Sequence, residues 1–122
     1  MKLEVGQFAR LKSGYICKII NINDFREPNM KYGVEANYLK DVMFIGDDDV
    51  VKASYNIIDI LEVGDYVSTI TGECAVIAGV YNDINSKKYL RLCNCIGEYY
   101  EDDIKSIITH EQMEQIEYKV GD

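Results

Sequence analysis

The chain has 122 residues, 48% hydrophobic and 28% charged, with one proline and a net charge of −8. That balance predicts a folded globule and excludes disorder, and no apolar run reaches the roughly 18 residues of a membrane span. The acidic excess argues against direct, non-specific nucleic-acid binding, and the N-terminus MKLEVGQF lacks the apolar stretch of a leader, which predicts a cytoplasmic protein.

LEVGQF (3–8) opens the chain and returns almost unchanged as LEVGDY (61–66). At the same offset of 58 positions Phe8 meets Tyr66, Ala9 meets Val67, Gly14 meets Gly72, Ile19 meets Ile77 and Ile22 meets Val80. Such self-similarity predicts two copies of one unit, 1–60 and 61–122. In the first, FARLK alternates, with Phe8, Arg10 and Lys12 on one face and Ala9 and Leu11 on the other. Ser13-Gly14 then turns the chain into YICKIINI, rich in β-branched residues. KYGVEA, DVMFI and VVKAS read as further strands, the last preceded by Asp47-Asp48-Asp49, and NIIDIL (56–61) reads as a helical turn capped by Asn56.

The second copy repeats the scheme as YVSTI, a Thr71-Gly72 turn and CAVIAGV, followed by KKYLRLCNCI, EYY and DIKSII, with Glu101-Asp102-Asp103 ahead of the last. Thr109 with Gln112 forms a capping box and Ile108 can staple onto Met113, which predicts a short C-terminal helix over 110–117. The V-G strings then bracket the units: LEVGD is expected to pair back toward LEVGQ, and YKVGD (118–122) toward LEVGD. The predicted fold is mainly β, two tandem small SH3-like barrels with short helical turns and a short C-terminal helix.

Charge is unevenly shared. Residues 1–60 hold 8 Lys/Arg and 9 Asp/Glu, whereas residues 61–122 hold 5 and 12. Most of the acidic excess therefore belongs to the second unit, while the first hairpin, with Arg10, Lys12 and Lys18, is mildly basic.

SYNIIDILEVGDYV (54–67), DIKSIITHEQ (103–112) and NDFREPNMKYGVE (23–35) resemble recurring segments of small uncharacterised accessory proteins from phages and prophages of Gram-positive bacteria. The resemblance covers most of the chain and carries no assigned functional residue. It implies an accessory protein of a mobile element, acting in the host cell by binding host proteins, blocking bacterial defences or modulating regulation.

Glu98, Tyr99, Tyr100, Glu101, Asp102 and Asp103, together with Asp47, Asp48 and Asp49, form the leading candidate surface: carboxylates and tyrosines that would meet a basic partner in place of nucleic acid. The expected function is a non-enzymatic interaction protein that binds a bacterial host or defence protein with a basic surface, an anti-CRISPR-like inhibitor being its most specific form. The alternative is a small-ligand, nucleotide or nucleic-acid binding module that uses Arg10, Lys12 and Lys18 and a cleft between the units. Cys74, Cys93 and Cys95 with His110 make an imaginable zinc set, but the spacing is not that of a zinc ribbon, and neither metal nor cofactor is predicted. His110 is the only histidine, and the phosphate-binding, dinucleotide and hydrolase strings are missing, so no catalytic residue is predicted.

Overall fold

A computed structural model describes residues 3–23, 27–36 and 42–114. The chain divides into two compact units, Met1–Ile60 and Leu61–Asp122, each built on antiparallel pairing. Among the described residues no helix is long and apolar enough to cross a membrane.

In the first unit β1 (Phe8–Leu11) and β2 (Ile16–Ile22) form the opening hairpin and β3 (Tyr32–Ala36) and β4 (Val42–Ile45) the next. β5 (Val50–Ser54) returns beside β1, giving the order β4-β3-β2-β1-β5. Ala9 and Leu11 enter the core with Cys17, Ile19, Val34 and Ile45, because residues two apart in a strand share a face. Arg10 is on the other face of β1, yet it is only 1% exposed. The 3-10 turn Ile57–Ile60, capped at the Ile58 N–H by the Asn56 side chain, packs against β1 and β5 and buries Ile57, Ile58 and Ile60. Arg10 Nη1 donates to the carbonyl of Ile60 at 3.1 Å. Arg10, a residue of the alternative ligand-binding set, is thus withdrawn from solvent by an apolar turn that closes over its face.

The second unit repeats this frame with β6 (Tyr66–Thr69), β7 (Cys74–Asn82), β8 (Lys88–Leu92) and β9 (Ile104–Ile108) in the order β8-β7-β6-β9. Phe8↔Lys18 in the first hairpin becomes Tyr66↔Val76 in the second. Irregularities fall at matching places too, between Arg10 and Leu11 and between Ser68 and Thr69. The fourth strand is reduced: the EYY segment contributes a single bridge, Leu90↔Tyr99, where the first unit has a ladder. KKYLRLCNCI is likewise shorter as a strand than expected, ending at Leu92. After β9, residues 110–114 are helical, and Thr109 and Gln112 make the reciprocal cap, with the Thr109 N–H on Gln112 Oε1 at 3.0 Å. Residues 115–117 of the expected helix and the terminal YKVGD lie outside the described residues.

The two LEVG segments are turns rather than strands, so the expected pairing of LEVGD with LEVGQ is not formed, and that of YKVGD lies outside the described residues. Gly6 donates its N–H to Ile19 at 2.8 Å and Gly64 donates its own to Ile77 at 3.2 Å, each within its own unit. Both glycines have left-handed backbones, with φ of 95° and 99°, so a side chain there would be strained. LEVG is therefore an entry turn onto the second strand of each unit, and β5 and β9 are the strands that return to the first. Among the described residues β4 and β5 do not pair, so the first sheet is not closed into a barrel.

Candidate functional site

The second unit exposes a row of tyrosines. Tyr81 and Tyr89 are register partners across the β7–β8 hairpin, and their rings stack with centroids 5.8 Å apart. Tyr100, entering the Glu101–Asp103 turn, lies 5.8 Å from Tyr89 at an interplanar angle of 50°. Lys87 Nζ stands 5.0 Å over the Tyr100 ring, and the Arg91 guanidinium 5.9 Å from that of Tyr89. Tyr81 is half exposed, and Tyr89 and Tyr100 are partly so. Offset stacking and cation contacts of this kind hold amphipathic rings in one arrangement while leaving their edges open.

Asp83 fixes the end of the row. Its Oδ1 accepts the N–H groups of Asn85 and Lys87 at 2.8 and 2.9 Å, and its Oδ2 accepts the Tyr100 hydroxyl at 3.0 Å. The Lys87 and Asn85 N–H groups hold the Asp83 carboxyl below its ordinary range against some desolvation. The same hydroxyl–carboxylate bond pushes the Tyr100 phenol up.

The two acidic runs are 3-10 turns, Asp47–Asp49 and Glu101–Asp103, each leading into the returning strand. Their third carboxylates are caps: Asp49 Oδ2 accepts the Gly46 N–H at 3.0 Å and Asp103 Oδ2 the Tyr100 N–H at 2.9 Å. Asp47 accepts the Tyr32 hydroxyl at 2.7 Å, and Glu98 faces Arg91 at 3.5 Å. Asp47, Asp48, Asp49, Glu98 and Asp102 are exposed, with Glu101 and Asp103 half-buried. The Asp47–Asp49 turn also lines, with Pro28, Asn29 and Gly46, a pocket of about 260 Å³.

Several residues singled out in the sequence are placed differently by the fold. Tyr99 is 8% exposed, packed at the bridge to Leu90, so of the Tyr99-Tyr100 pair only Tyr100 reaches the surface. Alternation in an extended segment sends the two rings to opposite sides. Arg10 is buried; Lys12 and Lys18 are exposed, the latter with its Nζ 5.6 Å over the Phe8 ring. Cys93 and Cys95 follow β8 rather than sharing a strand face, and Cys74 has Ser68 Oγ at 3.1 Å as its neighbour, so the fold does not gather these thiols with His110. Tyr81 and Tyr89 escaped sequence reading, although they stand symmetrically about the polar DINSK turn, where a hairpin makes them partners.

The group around His110 is also unanticipated. His110 Nε2 lies 2.7 Å from Glu62 Oε1 and 2.7 Å from Glu111 Oε1. These are the only three metal-type ligands that converge among the described residues. Asp65, fully buried, accepts the Glu62 N–H at 2.8 Å and the His110 N–H at 3.0 Å. Comparison of the chain with protein-family models, with curated proteins and with solved structures finds no match.

Proposed function

We propose that this chain is a non-enzymatic interaction protein whose second unit binds a bacterial protein through the tyrosine row Tyr81, Tyr89 and Tyr100 and the adjoining carboxylates Glu101 and Asp102. The observation that carries the reading is the pre-ordered, partly exposed aromatic row with its acidic border. Tyrosine gives large contact area for few rotatable bonds, so rings already stacked lose little freedom on binding. Acidic neighbours select a basic partner and speed encounter. A mobile-element accessory role, with inhibition of a bacterial defence as its sharpest form, is the context that the resemblance implies.

Each unit reads as a small SH3-like barrel opened on one side. Supporting this is a meander whose last strand returns to the first through a 3-10 turn. His110 Nε2 faces carboxylates rather than a nucleophile, which favours binding over catalysis.

The test is capture from bacterial lysate on the immobilised full chain at low salt. A partner is expected that binds the wild-type and Lys18→Ala chains and is lost both by Tyr89→Ala/Tyr100→Ala and by Glu101→Lys/Asp102→Lys. Equal recovery by all four chains, or a thermal midpoint raised by oligonucleotides, would overturn the proposal.

A further inference from the structure

The carboxylates of Glu62 and Glu111 both point at one ring nitrogen, His110 Nε2, at 2.7 Å each. A neutral imidazole has at most one hydrogen on that nitrogen, which the two carboxylates would have to share. One metal ion would satisfy all three atoms together. We propose that Glu62, His110 and Glu111 form a binding site for a divalent transition metal of the Zn²⁺ type, a fourth position being left for water.

The donor set fits this chemistry, since imidazole favours Zn²⁺ over Mg²⁺ or Ca²⁺ and two carboxylates neutralise the ion's charge. Zn–N and Zn–O bonds of about 2.0–2.2 Å place tetrahedral ligand atoms about 3.4 Å apart. Each 2.7 Å contact need therefore open by only about 0.7 Å.

Pre-organisation is a second, independent observation. Asp65, 0% exposed, holds the backbone N–H of Glu62 with one oxygen and that of His110 with the other. Two ligands from distant parts of the chain are thereby fixed on one buried carboxylate.

The first unit supplies an internal contrast. There the LEVG glutamate, Glu4, accepts the hydroxyl of Tyr55, the residue that follows β5. That junction offers one carboxylate and a phenol, and no metal is expected at it. In the second unit the ion would clasp the start of the helical segment to the entry turn.

ZnCl₂ titrated into the full chain is expected to raise the thermal midpoint, while MgCl₂ at the same concentration does not. The ring resonances of His110, the one histidine, should shift on adding Zn²⁺ and saturate near one equivalent. Glu111→Gln and His110→Ala should each weaken Zn²⁺ binding by about tenfold or more, and Tyr89→Ala should leave it unchanged. Unmoved His110 resonances would overturn the site. So would an equal response to Mg²⁺, or Zn²⁺ stabilisation that survives His110→Ala and vanishes when Cys74, Cys93 and Cys95 become serine.

Discussion

Asp65→Ala is expected to destabilise the second unit strongly. The carboxylate is fully buried and is the acceptor for two backbone N–H groups, from Glu62 at 2.8 Å and His110 at 3.0 Å. Alanine leaves both donors without that acceptor. A stranded donor costs about 1–3 kcal/mol, and because both are partly buried rather than enclosed, about 1.5 kcal/mol each is appropriate. The sum, about 3 kcal/mol, corresponds to a fall in midpoint of about 12–24 °C for a unit of this size. Asparagine keeps one acceptor oxygen but turns an amide N–H₂ toward the other donor, so Asp65→Asn should lose at least half as much. With no tryptophan in the chain, far-UV circular dichroism reads the melt, and amide exchange at residues 62 and 110 locates the damage. An Asp65→Ala chain within about 0.5 kcal/mol of wild type would refute the role given to this carboxylate.

Thiol labelling should separate the cysteines: burial pushes the Cys17 thiol up to about 12, whereas Cys74 and Cys93 are exposed and Cys95 partly so. At pH 8 three thiols should react rapidly and the fourth only on unfolding; four fast thiols would contradict the buried position of Cys17. Gly46→Ala places a Cβ 2.4 Å from the Pro28 carbonyl oxygen and 2.7 Å from Asn29 Cα, so backbone must move, and a loss of about 1–3 kcal/mol is expected in urea unfolding. An unchanged urea midpoint would mean that Pro28 and Asn29 do not press on Gly46. Acid should weaken the second unit through Asp83, lowered first by the Lys87 N–H, and Glu73, lowered first by the Thr71 hydroxyl. Folded values below the unfolded ones mean that this stabilisation is complete above the ordinary values of 3.8 and 4.5 and is lost as pH falls through the folded ones. Asp83→Asn should flatten the decline of midpoint below about pH 4; a slope equal to wild type would count against it.

Much of the frame was legible because it depends on period and turn chemistry. The hairpin FARLK–YICKIINI and its copy follow from alternation and a glycine turn, and the Thr109–Gln112 cap from spacing alone. What alternation cannot show is what lies over the second face of a strand. Arg10 was placed on the correct face, yet whether that face is wet depends on the Ile57–Ile60 turn, about 50 residues away. The expected pairing of LEVGD with LEVGQ fails for a related reason: a repeated phrase marks equivalent places in two units, here their entry turns. Glu62 had one available signal, a glutamate at the same point of both copies, but the partner that gives it chemistry follows the last strand of the unit.

The tyrosine row arises where the two copies stop being equivalent. Ile22↔Tyr32 corresponds to Val80↔Leu90, and Tyr32↔Ile45 to the bridge Leu90↔Tyr99, so Gly46 corresponds to Tyr100. In the first unit the segment before β3 carries the 3-10 turn Pro28–Met30, whose backbone lies so close to Gly46 that no side chain fits there. In the second unit the corresponding segment prolongs the hairpin instead, pairing Tyr81 with Tyr89 and Asn82 with Lys88. The backbone that crowds position 46 is thus drawn into a ladder, and position 100 can take a large ring that completes the stack. One change, a loop converted to paired strand, removes the steric reason for glycine and supplies the two aromatic neighbours that a tyrosine needs. A surface built this way belongs to the second unit alone, so substitutions at Asp47–Asp49 should alter the stability of the first unit without reducing any capture from lysate that depends on Tyr89 and Tyr100.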